Sequence, residues 1–359
     1  MKRHLVGVSA ALLGTMLMGG VVAQTASAAV PAESTVTLPL FGVPLTIDIT
    51  TGPGGALTDV AVNPADGSVP TSASPRKVVF ERTDATTGAT GKVTIKSKHG
   101  GQSVSARGGS LADVTGDGGW SGDLFGDGVI STVTFAVAAA ADGGPDIVGT
   151  SAGGADNEIG PVQYSTGDDD DDETSASARQ TITFTNAAGD QKRTIKISVR
   201  VKTDEDGDTS AKLSISLGRL KGVAIAADLA AGPHTWSGLL CDGTTTATIT
   251  YTVNADGSVQ DVVATPAADV RTDDSKIDVR FSDNERVRIK VRENDGQIKI
   301  SVDEKIRCDS ADPTFNGAAV PTTVDEGGDD NHDGDHHDGD HKDGGHGDDD
   351  DGTTTTTVA

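Results

Sequence analysis

Aromatic side chains are scarce in this chain: seven Phe, two Trp and two Tyr, about 3% of 359 residues. Sugar-stacking platforms and base-stacking surfaces are made of exposed rings, so composition excludes both. Cysteine is just as sparse, at two. Helical periodicity is almost missing, and only GRLKGVAIAADLAAG (218–232) has room for a short helix. Positive charge is outnumbered, with 29 Lys and Arg against 54 Asp and Glu, for a formal net charge of -25. With no basic face in view, nucleic acid and anionic membrane are excluded as partners, and metal cations or basic, cell-surface macromolecules suit the chain better.

Long apolar runs are confined to the N-terminus. Lys2 and Arg3 precede the largely apolar Leu5 to Val22, and Ala26-Ser27-Ala28 has the small-x-small cleavage pattern. This is the layout of a secretory signal peptide over 1–28. The glycines at 7, 14, 19 and 20 make the run weak as a membrane anchor. The expectation is an exported, secreted or extracellular protein, not inserted in a membrane after signal cleavage.

The body repeats. Gly119-Trp120-Ser121-Gly122 returns as Thr235-Trp236-Ser237-Gly238, and GALTDVAVNPA (55–65) matches GSVQDVVATPA (257–267) without a gap. A third pattern occurs around Phe80, Phe184 and Phe281: an alternating run ending in Phe, a polar turn, then a second alternating run. Period two marks half-buried antiparallel strands. The fold class expected is all-β, three antiparallel β-modules over 40–116, 117–232 and 233–312, each of about five strands. Sandwich-like units and stacked meanders both satisfy this pattern. Asn254-Ala255-Asp256-Gly257 reads as a hairpin turn. Trp120 and Trp236, at equivalent positions, read as packing residues.

The repeat interprets the cysteines. Cys241 stands where module two has Phe125, and Cys308 follows the last strand of module three. An exported chain meets an oxidising environment, so the expectation is a structural Cys241–Cys308 disulfide closing one module, stabilising it by about 3–5 kcal/mol.

Two motifs point to chemistry and fail on context. Gly149-Thr150-Ser151-Ala152-Gly153 fits the nucleophile elbow of a serine hydrolase, but GADNEIGP follows it where a helix should begin. His99 and His234, the histidines outside leader and tail, are flanked by glycine or proline and read as loop residues. Asp204-Glu205-Asp206-Gly207-Asp208 begins like a calcium loop, yet Thr209 and Ile215 hold the sixth and twelfth places. An acidic hairpin turn accounts for it. The Asp168–Glu173 run reads as a solvated, self-repelling loop.

The last segment, 313–359, reads as a disordered Asp/His/Gly-rich tail. From Asp325 to Asp351 it carries 13 acids against one Lys. With almost nothing apolar to bury, it cannot offset chain entropy. Within it HDGDH-HDGDH-KDGGH repeats a pentad from His332 to His346. Imidazoles and carboxylates recur there as His332, Asp333, Asp335, His336 and His337, then as Asp338, Asp340, His341, Asp343 and His346. Neutral imidazole is the common ligand of Zn, Ni and Cu, the adjacent acids add oxygen donors, and glycine lets the chain curl. The expectation is a non-enzymatic β-repeat protein whose tail binds divalent transition metal ions, with Ca a weaker alternative. The rival readings are an adhesive or matrix protein whose tail only solubilises, and a serine hydrolase using Ser151.

Overall fold

The computed structural model describes residues 23–25, 32–98, 100–168, 174–308 and 311–320. Among them the chain is almost entirely antiparallel β-structure. Modules one and three are each a three-stranded meander followed by a four-stranded one; in module two both Asp156–Ile159 and Gln163–Asp168 pair with Thr174–Thr185, so its second part has five strands. Module one runs Glu33–Leu40, Val43–Thr51 and Leu57–Asn63, then Ser68–Ser74, Lys77–Thr83, Thr90–Lys98 and Gly101–Gly108. Module three repeats this with Gly232–Leu239, Thr246–Val253 and Val259–Thr265, then Asp269–Asp273, Lys276–Ser282, Glu285–Asn294 and Gln297–Ile306. Seven strands stand where about five were expected. The additional ones, such as Ser68–Ser74 and Asp269–Asp273, are short polar edge strands with little hydrophobic alternation to betray them.

Modules one and two are fused through both of their sheets. Ser34–Thr37 pairs antiparallel with Gly119–Gly122, so the two three-stranded meanders join, and with Thr314–Phe315 and Ala318–Ala319 added at one edge they form an eight-stranded sheet. Gln102–Gly108 pairs antiparallel with Ala211–Leu217, which joins the second parts of both modules, four strands and five, into a ten-stranded sheet with Lys221–Gly222 paired to Gln191–Lys192. The alternating apolar faces of these two sheets meet in a single core that includes Val36, Ile47, Phe80, Trp120, Phe184 and Leu213. Fusion hides four sheet edges, two at each junction, that would otherwise stand open.

Module three has its own core, centred on Trp236, Ile249, Tyr251, Val279, Val287 and Ile289, between a four-stranded and a five-stranded sheet. Ala23–Thr25, from the predicted leader, pairs parallel with His234–Trp236 at one edge. Cys241 and Cys308 are bonded, with Cα atoms 5.1 Å apart, tying the end of this module's first strand to the end of its last. Leu124, Phe125 and Leu240 are buried at the corresponding corners, so the bridge replaces apolar packing there.

Several local expectations are met or corrected. The short helix within 218–232 is Ala227–Ala230. Asp204–Asp208 is a hairpin turn, with Asp204 Oδ1 accepting the Asp208 amide at 2.8 Å. His234 is not a loop residue: it is buried on the strand Gly232–Leu239, its Nε2 2.8 Å from Ala230 O and its ring stacked on Tyr251. The tail boundary at 313 falls too early. Thr314–Phe315 pairs parallel with Asp59–Val60, and Phe315 packs on Phe80 with ring centroids 5.2 Å apart. Val320 is buried in the same core, and Asn316 Oδ1 accepts the Val62 amide at 2.7 Å, so the segment is held by apolar burial and hydrogen bonds together. No helix among the described residues is long and apolar enough to cross a membrane.

Candidate cationic cleft

In module three, period-two alternation separates charge from hydrocarbon. Along Glu285–Asn294, Val287, Ile289 and Val291 point into the core, so Arg286, Arg288, Lys290 and Arg292 share the outer face. The neighbouring strand adds Lys299 and Lys305 to that face. Pairing then sets most of these charges opposite like ones: Arg286 faces Arg280 and Lys305, Lys290 faces Lys276, and Arg292 faces Lys299, while Arg288 stands between Asp278 and Asp303. Directly opposed like charges destabilise a sheet, so this face is built at a cost.

Close backbone approach brings that face against the fused modules. Gly222 lies against Ile300 O and Gly54 against Ile306 O, where a Cβ on either glycine would overlap the carbonyl. Gly54 also has φ +63°, a conformation that glycine adopts without strain. Between the two bodies of structure runs a cleft of about 890 Å³. Module three lines it with Arg288, Lys290, Arg292, Lys299, Lys305 and Arg307, and the fused modules add Arg76, Lys77, Lys96 and Arg219. Ten of the chain's 29 basic residues are gathered here, against the acids Asp303 and Glu304. Among the described residues the lining has no aromatic ring and no histidine, and its one cysteine, Cys308, is in the disulfide.

The electrostatics agree with crowding of positive charge. Burial lowers the pKa of Arg76, and the nearby Arg307 lowers it further, while its Nη1 donates to Gly54 O at 2.8 Å. Asp278 is the acid that holds the outer face together. Arg286 Nε donates to it at 2.7 Å and Arg288 Nη2 lies 3.3 Å away, so its carboxyl is held down at about 2, chiefly by the Arg286 hydrogen bond. Behind the cleft Arg193 is 1% exposed. Burial pulls it to about 10 against the opposing charges of Glu304 and Asp123. Glu304 also accepts the Trp236 indole N–H at 2.8 Å.

The composition argument therefore missed a basic face. Acidic runs dominate the average, and the signal was the local R-x-R-x-K-x-R of residues 286–292, one whole strand face of cations. The charge argument against nucleic acid therefore loses its ground.

The ten tail positions from His332 to His346 that make up the expected metal site lie outside the described residues. Among the described residues no group of three or more His, Cys, Asp or Glu side chains is arranged to hold a metal ion. Ser151 is exposed on the strand Pro145–Gly153, its hydroxyl 2.8 Å from that of Thr134. The chain continues from it into another strand, Asp156–Ile159, where an elbow requires a helix. Comparison with family models, with curated proteins and with solved structures returned no match.

Proposed function

We propose that this is an exported, non-enzymatic binding protein whose β-modules hold an anionic ligand in the cationic cleft. The carrying observation is the concentration of ten cations around one 890 Å³ cleft in a chain of net charge -25. Export is supported by the leader-like N-terminus and by the disulfide. The reading develops the rival adhesive or matrix role considered from the sequence and gives it a ligand chemistry. Calorimetric titration with tripolyphosphate tests it. Binding should weaken about tenfold in Lys290→Gln/Arg292→Gln and decline with salt, as a charge-driven site must. No heat at low ionic strength, or equal affinity in the variant, removes the proposal.

A second reading is favoured by the pentads. The tail residues His332 to His346 bind Zn, Ni or Cu in overlapping weak sites, because imidazoles four apart recur with carboxylates between them. Titrating the intact chain and a chain truncated after Val324 at neutral pH, where most imidazoles are unprotonated, separates tail from body. Stoichiometric uptake should vanish on truncation. A flat titration of the intact chain sinks this reading and leaves the cleft untouched.

A further inference from the structure

The outer face of the ten-stranded sheet carries a second ordered array. Its inward neighbours, including Val93, Val104, Ile215 and Ile197, are buried, so the intervening side chains share the opposite face. Register aligns them into rows across four consecutive strands. The first row is Lys92, Arg107, Lys212 and Arg200, each directly opposite the next. The second is Thr94, Ser105, Ser214 and Ser198, all hydroxyls. The rows cross the junction between Gly101–Gly108 and Thr209–Leu217, so neither module alone possesses them.

A merely solvating face would interleave signs, since opposed like charges cost stability and opposed unlike charges contribute it. Among the paired strand positions of this row, four cations stand in series and an acid enters at Glu81, which faces Lys92. Adjacent strands are about 4.8 Å apart, so the four charges extend over roughly 14–15 Å in a line perpendicular to the strands. The step of about 4.8 Å between neighbouring charges is close to the length of one sugar ring along a polysaccharide. The parallel hydroxyl row offers donors and acceptors to sugar hydroxyls, and the two rows contain no ring on which a base would stack.

We propose that this face binds a linear acidic polysaccharide laid across the strands, through its acid groups on the Lys92–Arg200 row and its hydroxyls on the Thr94–Ser198 row. It is a site separate from the cleft and has its own test. The full chain is titrated with heparin dodecasaccharide, polygalacturonate and oligothymidylate at two salt concentrations, with tripolyphosphate as the cleft probe. Arg107→Gln/Lys212→Gln should weaken both polysaccharides about tenfold and flatten the salt dependence, because fewer condensed counterions are released. Tripolyphosphate binding should stay as in the unaltered chain. Ser105→Ala/Ser214→Ala should weaken the polysaccharides severalfold and leave oligothymidylate unchanged. Circular dichroism checks that both variants are folded, and Lys92→Gln/Arg200→Gln replaces any that is not. Polysaccharide affinity unaltered in the charge variants overturns the proposal, as does oligothymidylate binding more tightly than either polysaccharide.

Discussion

Lys212 gives the sharpest test of the energetics, because the structure predicts that reversing its charge stabilises the protein. It stands on the strand Thr209–Leu217 directly between Arg107 and Arg200. Each opposed like pair costs a few tenths to about 1 kcal/mol, and each opposed unlike pair contributes a similar amount. Lys212→Glu replaces two of the first kind by two of the second. All three side chains are exposed, so solvent screening removes much of the gain, leaving about 1–2 kcal/mol at low ionic strength. Lys212→Gln, which only removes repulsion, should give about half. The assay is urea unfolding followed by circular dichroism, comparing midpoints at constant slope, since a changed slope reports on the denatured state. In 1 M salt the Debye length falls to about 3 Å and the three proteins should converge. If Lys212→Glu is neutral or destabilising at low salt, the reading of this row as a stability cost is wrong.

The equivalent tryptophans should respond differently to replacement by Phe. Trp236 Nε1 donates to Glu304 at 2.8 Å, whereas Trp120 Nε1 is buried with no hydrogen-bond partner among the described residues. Trp236→Phe should therefore cost about 1–2 kcal/mol more than Trp120→Phe in urea unfolding, and equal costs would refute the assignment. Cys241→Ala/Cys308→Ala should lower stability by about 3–5 kcal/mol, with module three unfolding before the fused pair; a single unchanged transition would contradict this. For Asp278, the folded carboxyl at about 2 lies below its ordinary 3.8, so its contribution is full above pH 4 and is lost as pH falls from 4 toward 2. Asp278→Asn should flatten the acid limb of the stability profile over that window. Gly222→Ala should weaken the packing of module three on its neighbours, read as faster proteolysis of the intervening chain.

Cleft and sheet face share one design. Both place like charges opposite one another on an antiparallel sheet, and both lie where a module meets another part of the chain. A shortage of aromatic residues excludes recognition by stacking, yet it leaves ionic recognition open. The net charge conceals this, because the acidic runs after Asp325 outweigh cations concentrated on a few strands.

Much of the architecture was legible in the linear pattern. Alternation at period two identifies strands because a pleated chain points successive side chains to opposite faces, so KIDVRF and RVRIKV could be nothing else. The internal repeat likewise located Trp120, Trp236 and the Cys241–Cys308 bridge, since equivalent positions in a repeated unit meet equivalent surroundings. What only the tertiary structure decided is which strands become neighbours. Nothing local says that Gly101–Gly108 pairs with Thr209–Leu217 across some hundred residues, or that Gly54 and Gly222 seat module three against the rest. Charge rows are products of register, and register between distant strands is set by burying two apolar faces at once, a property of the folded whole.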